Sequence, residues 1–101
     1  GRPEIERIIE LQLAHLRQLL VDRRITLTLS PEARELVVAQ GYDPQYGARP
    51  LKRSLQRLVQ NPLAAAILRG EVLPEQHVRA ELAGDGGHLR FVATTPAAAV
   101  A

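Results

Sequence analysis

The sequence contains no cysteine, methionine or tryptophan, and its aromatic residues are two tyrosines and one phenylalanine. Without cysteine, the chain can form no disulfide, thiolate metal site or thiol redox centre. Its core must be aliphatic, and 46% of the 101 residues are hydrophobic, which is enough to build one. A chain of this length predicts one small domain.

Long apolar runs and a large net charge are also missing. No run approaches the roughly 20 apolar residues of a membrane span, and the N-terminus lacks the blocks of a signal peptide. We therefore expect no membrane partner and a cytoplasmic location. The net charge of +2 is too small to predict a nucleic-acid partner. The abrupt start at Gly1 suggests a domain of a longer protein.

Acidic residues are absent from one long interval, residues 44–70, which we call the basic segment. Its charged residues are Arg49, Lys52, Arg53, Arg57 and Arg69. The rest of the chain mixes both signs. The basic segment is therefore where an anion is most easily accommodated.

Hydrophobic periodicity predicts an α+β fold with about four helices and a short three-stranded β-sheet. The first helix places apolar residues on one face: Ile5, Ile8, Ile9, Leu13, Leu16, Leu19 and Leu20. Gly41 is expected to stop the second helix, and Asn61 to cap the fourth. In chain order we expect helices at 3–23, 31–40, 50–60 and 63–69, and strands at 25–29, 77–82 and 88–93. Residues 94–101 are expected to form a flexible tail after a domain at 1–93.

The most informative motif runs from Gly41 through Gly47, Ala48, Arg49 and Pro50. Pro50 suits the first turn of a helix, so Arg49 is expected at or beside the N-cap, where free N–H groups and the helix dipole favour an anion. Gly47 allows a positive φ that would aim the arginine. Arg49 could therefore contact a phosphate, or it could be an ordinary surface arginine.

Other candidate groups carry weaker signals. Tyr42 and Tyr46 could stack on a base, but we expect Tyr42 to plug the loop against the core. The three histidines lie far apart in the sequence, so we interpret them as structural and expect no metal site. No catalytic triad or GxxxxGK[ST] loop occurs. The chain alone is expected to have no catalytic residues and no activity.

These motifs resemble those of a known family. The segments 41–53, 61–64 and 67–71 closely resemble the C-terminal small subdomain of Clp-type AAA+ unfoldases, most of all the ClpB-type disaggregases. The resemblance implies a mostly helical subdomain with a short sheet. It also implies that Arg49 is the sensor-2 residue, which contacts the γ-phosphate of ATP with support from Gly47, Ala48 and Pro50.

The resemblance further implies partners outside this chain. The preceding large subdomain would hold ATP and Mg²⁺, and small and large subdomains of adjacent subunits would pack in a homohexamer. The parent protein would be an ATPase acting on unfolded or aggregated polypeptide. Two alternatives stay open: the same subdomain of a protease-coupled ClpA- or ClpC-like unfoldase, and a nucleic-acid-binding module that uses Arg49, Arg53 and Arg57.

Overall fold

The structure is a computed structural model that describes residues 1–45 and 50–96. It confirms the predicted α+β class, with helices packed on a three-stranded sheet. None of the helices in these residues is long and apolar enough to cross a membrane. The elements are α1 (Arg2–Leu20), a 3₁₀ turn (Val21–Arg23), β1 (Thr26–Leu29), α2 (Pro31–Gly41), α3 (Leu51–Leu55), a π-helical segment (Gln56–Gln60), α4 (Asn61–Leu68), β2 (His77–Leu82) and β3 (Leu89–Thr94).

The first helix, α1, buries a stripe of aliphatic residues as its periodicity predicts. Ile9, Leu13, Leu16 and Leu20 are buried, whereas Leu19 is 62% exposed. Leu19 has the spacing of the buried residues, but its position on the helix lies toward one side of the buried stripe. Ion pairs tie α1 to α2: Arg34 of α2 contacts Glu6, at 3.2 Å, and Glu10.

The second helix, α2, begins as its sequence predicts. Ser30 is the N-cap, and its Oγ accepts a hydrogen bond of 3.1 Å from the Ala33 N–H. Pro31 follows at the first helical position, where a missing N–H costs nothing. This cap fixes the start of the helix directly after β1.

The sheet is mixed, with strand order β1-β2-β3. β1 pairs parallel with β2, and β2 pairs antiparallel with β3. Between β1 and β2 the chain forms α2, α3 and α4, since a parallel pair needs a long crossover. The strand predictions are confirmed, with β1 beginning one residue later than expected and β3 lying one residue later.

The third and fourth predicted helices are joined. Residues 51–68 are helical throughout, and the π-helical segment links α3 to α4, so the described chain has three helical rods instead of the predicted four. Asn61 has helical φ and ψ angles, −66° and −45°, and its N–H bonds to the Gln56 carbonyl; the prediction that it caps a new helix is wrong. Pro62 lacks an N–H and its ring would clash with the Leu58 carbonyl, and the wider π turn relieves this conflict.

The end of this helix and the hairpin loop follow the sequence more closely. Gly70 adopts a φ of +77° just after α4, as a glycine that closes a helix does. In the β2–β3 loop, Asp85 accepts hydrogen bonds from the backbone N–H groups of Gly87 and His88, at 2.8 and 3.1 Å. The Gly87 N–H and the His88 side chain lower the pKa of Asp85. These contacts fix the shape of the turn.

Candidate functional site

The candidate site lies where α2 and α3 meet. Gly41 is the last residue of α2 and is buried. A Cβ atom on it would lie 2.7 Å from Leu51 Cδ2 and 3.0 Å from both Leu51 Cα and Ser54 Cβ. Gly41 therefore belongs to the helix and allows close approach of α3. The helix ends at Gly41 as the sequence predicts, but the contact and not a positive φ requires a glycine here.

Two side chains fix this close approach. The buried Ser54 hydroxyl donates a hydrogen bond of 2.9 Å to the Val37 carbonyl of α2. One turn further along the same helical rod, Arg57 donates to the Gln40 side chain. The helical rod that begins with α3 is thus held against α2 at three places, which involve Gly41, Ser54 and Arg57.

The residues that connect α2 to α3 are described in part. Asp43 accepts a 2.7 Å hydrogen bond from the Gln45 N–H, which makes an Asx turn. Tyr42 is 51% exposed, so the prediction that it plugs the loop against the core is wrong. Tyr46, Gly47, Ala48 and Arg49 lie outside the described residues, and the role expected for Arg49 stays a prediction.

Pro50 is described, and it is the N-cap of α3. Its φ is −73°, and its carbonyl accepts a hydrogen bond of 2.9 Å from the Ser54 N–H. The sequence placed it one position later, in the first turn, but the physical role is the same. Arg49 therefore immediately precedes the cap residue of a helical rod that runs over residues 51–68.

The electrostatic setting of this helix start is positive. Lys52, Arg53 and Arg57 are exposed, and none of them has an ion-pair partner among the described residues. Together with the dipole of the helical rod, these uncompensated cations favour an anion near Pro50. The basic segment thus contains no acidic side chain that would repel a negatively charged ligand.

The described residues include no cluster of three or more His, Asp or Glu side chains that could hold a metal ion. His77 lies between two threonine hydroxyls, with Thr26 Oγ1 2.7 Å from Nδ1 and Thr28 Oγ1 3.1 Å from Nε2. His88 Nδ1 lies 2.8 Å from Asp85 Oδ2. Both histidines therefore have contacts that support local structure.

A second candidate surface was missed by the sequence analysis. The C-terminal half of α1 and α4 form an apolar groove, which we call the α1/α4 groove. Leu68 is 85% exposed at its edge and Leu19 is 62% exposed. The apolar residues that line it are Leu16, Leu19, Leu20, Leu63, Ala64, Ile67 and Leu68. A signal was present, because the apolar residues of 63–68 cover more than one face of a helix.

Comparisons with known proteins agree with the resemblance. The profile of a family described as the C-terminal, D2-small domain of ClpB protein matches residues 1–80. The chain is 52% identical over 85 residues to Chaperone protein ClpB of Pseudomonas putida, which is 84% of this chain and 10% of that protein. It is 48% identical over 96 residues to the ClpB of Mesorhizobium japonicum, which is 95% of this chain and 11% of that protein. The chain thus spans about a tenth of the length of these relatives.

Proposed function

Because the chain belongs to the family of C-terminal, D2-small domains of ClpB proteins, we propose that it is the nucleotide-sensing and ring-assembling subdomain of a disaggregase ATPase. Its parent would be a cytoplasmic homohexamer that acts on unfolded or aggregated polypeptide. The observation that carries the proposal is the α2–α3 junction. There the helix start at Pro50 directly follows Arg49 in the sequence. The basic segment around this helix start contains no acidic residue.

The residues of this junction fit a phosphate and not a metal ion. Pro50 caps the helical rod at its positive end, and the exposed cations Lys52 and Arg53 follow it. The described part of the chain lacks a carboxylate cluster that could bind Mg²⁺. In our proposal, Arg49 contacts the γ-phosphate of ATP, while the preceding large subdomain holds the nucleotide and Mg²⁺.

Bound ATP supplies a γ-phosphate that is lost on hydrolysis. The contact of Arg49 with this phosphate would therefore form with ATP and be lost with ADP. A charge-assisted hydrogen bond contributes about 1.5 to 3 kcal/mol, which shifts an equilibrium between two subdomain orientations by roughly ten- to a hundredfold. Gly41 and Ser54 hold α3 close against α2. In our proposal, this packing couples the contact made by Arg49 to the orientation of the two helices. Arg49 thereby reports the state of the nucleotide to the rest of the subdomain.

Ring assembly requires a surface for the large subdomain of an adjacent subunit. We assign this contact to the α1/α4 groove, whose exposed leucines are costly to leave in water. The groove lies on α1 and α4, whereas Arg49 precedes α3. The subdomain would thus contact nucleotide and neighbour through different elements.

The proposal is tested in the full-length parent protein by Arg49→Ala, with Arg7→Ala, at an exposed arginine of α1, as matched control. Arg49→Ala should reduce ATP affinity or turnover by about tenfold or more, since one charge-assisted contact to phosphate is lost. Arg7→Ala should change both by less than about twofold. Hexamer formation is measured in the same samples. If Arg49→Ala leaves affinity and turnover unchanged in an intact ring, Arg49 is not the sensor.

A further inference from the structure

The two edges of the sheet differ in how their backbone is protected. On β1, the Arg17 side chain of α1 covers the free edge: its Nε and NH2 groups both donate to the Leu27 carbonyl, at 3.2 and 3.1 Å. No corresponding side chain lies on β3 in the described residues. An uncovered edge strand is a template for pairing with another strand.

The ladder between β2 and β3 shows which groups of β3 are free. At the hairpin, the Ala83 N–H donates to the His88 carbonyl at 2.9 Å, which makes residues 83 and 88 a hydrogen-bonded pair. Such pairs alternate along an antiparallel ladder, so Arg90, Val92 and Thr94 bond to β2. The N–H and C=O groups of Leu89, Phe91 and Ala93 then point to the open edge.

Within the described residues, these six outward backbone groups have no hydrogen bond. The strand also lacks the usual features that prevent edge pairing, since it contains no proline. Its one charge, Arg90, lies 3.0 Å from Glu81, which is shared with Arg79 at 3.3 Å. In the part of the chain that the structure describes, no covering element opposes the approach of a second strand.

We propose that β3 pairs antiparallel with β3 of a second copy of this chain, with Phe91 opposite Phe91 of the copy. In this register Leu89 faces Ala93 of the copy, and the three outward residues of each strand form about six hydrogen bonds across the interface. The two sheets become one continuous sheet. The half-buried Phe91 rings lie side by side on the face that packs against α2.

Charge selects this register over its neighbour. With Phe91 opposite Phe91, Arg90 faces Val92 of the copy. A shift that places Leu89 opposite Phe91 would set Arg90 directly against Arg90, and like charges opposite each other are unfavourable. The pairing is two-fold symmetric, and because Arg17 covers β1, it closes as a dimer and does not extend into a fibre.

The first test is sedimentation of the 101-residue chain over the range of about 10 µM to 1 mM, in which small interfaces associate. A reversible monomer–dimer equilibrium is expected. Ala93→Pro removes an N–H that points away from β2, and it should raise the dissociation constant by about tenfold, since two symmetric hydrogen bonds are lost. The melting temperature of the dilute variant shows whether it is folded.

Two further variants change a side chain at the interface and leave the backbone hydrogen bonds intact. Val92 is 37% exposed and faces Arg90 of the copy in the proposed register. Val92→Glu should tighten the dimer and Val92→Lys should weaken it, each by about two- to fivefold. Because Val92 also lies opposite Arg79 of its own chain, the melting temperature of each dilute variant is measured as well. Opposite shifts of the dissociation constant that exceed the shifts in monomer stability support the register.

Amide hydrogen exchange measures the protection of the β3 edge directly. The amides of β3 that bond to β2 are the internal control. The amides of Arg90, Val92 and Thr94 should exchange slowly at every concentration. Those of Leu89, Phe91 and Ala93 should exchange fast in dilute protein and slow down as concentration rises.

The proposal is overturned by a chain that stays monomeric at about 1 mM. It is also overturned by a dimer that Ala93→Pro and the two Val92 variants leave unchanged. If the monomer gains protection at Leu89, Phe91 and Ala93 only when an unfolded polypeptide such as casein is added, the edge binds extended chains and not a second copy. Sensing by Arg49 does not enter any of these measurements.

Discussion

At the scale of single residues, Gly41 sets the distance between α2 and α3. Its φ is not in the left-handed region, so a larger residue is excluded by contact and not by backbone conformation. Leu51, against which it lies, is fully buried and cannot move away easily. The start of α3, which follows Arg49 in the sequence, therefore depends for its position on residue 41 having no side chain.

We expect Gly41→Ala to destabilise the chain by about 1 to 2 kcal/mol, because overpacking exceeds the gain of about 1 kcal/mol from better helix propensity. Chemical denaturation measures this change. Gly84→Ala is the control, since a Cβ atom at Gly84 has no neighbour within 4 Å and its φ is not positive. Equal stability of Gly41→Ala and wild type would show that the junction can open without cost.

The sequence drew attention to this junction, but it misjudged some of the residues there, and the role of Arg49 stays a prediction. The resemblance singled out Arg49 because a short motif of glycine, arginine and proline is specific. It could not show that Gly41 is a contact, since a glycine after an apolar helix is also the usual stop signal. Tyr42 was misplaced for a similar reason: an aromatic residue predicts burial on average, but this one is half-exposed beside the Asx turn of Asp43.

At the scale of elements, local signals determined the beginnings of helices better than their continuity. Ser30 and Pro31 start α2 as predicted, because capping is a property of adjacent residues. Asn61 and Pro62 carry the same signal, yet the helix continues through them with a π turn. Packing of the buried Leu58, Val59 and Leu63 holds the rod together, and no local rule contains that long-range contribution.

Arg17 gives a prediction about the first strand of the sheet. It joins α1 to β1 through two hydrogen bonds to one carbonyl, and it blocks the edge that would otherwise be free. Arg17→Ala should lower the free energy of unfolding by about 1 to 2 kcal/mol, the range for loss of a charged hydrogen bond that is partly exposed. It should also make the chain aggregate on heating, because both sheet edges are then open.

The control for Arg17→Ala is Arg7→Ala in the same helix. Arg7 is exposed and has no partner among the described residues, so its loss should change stability by less than about 0.5 kcal/mol. Thermal unfolding with light scattering measures both effects at once. If Arg17→Ala and Arg7→Ala behave alike, the β1 edge is protected by something other than this arginine.

At the scale of the whole molecule, the α+β class and all three strands could be predicted, because periods of two and of three to four residues are visible in the chain. The mixed pairing of the sheet could not, and of the α1/α4 groove the sequence showed only the apolar residues of 63–68 on more than one helix face. Both depend on how distant elements pack, and a leucine that is covered by another molecule has the same periodicity as one that is covered by its own chain. Leu19 shows the difficulty, since its spacing matches that of the buried leucines of α1 but it is 62% exposed.

The groove leads to a prediction for the assembled parent protein. Leu68 is 85% exposed, and burying a leucine in an interface contributes about 1.5 to 3 kcal/mol. Leu68→Glu should therefore raise the concentration at which the full-length protein forms rings by about tenfold or more. Leu11→Glu is the matched control: Leu11 is 56% exposed on α1 but does not line the groove, so ring formation should change little. Sedimentation across a dilution series measures both, and equal assembly of the two variants would mean that adjacent subunits contact another surface of this domain.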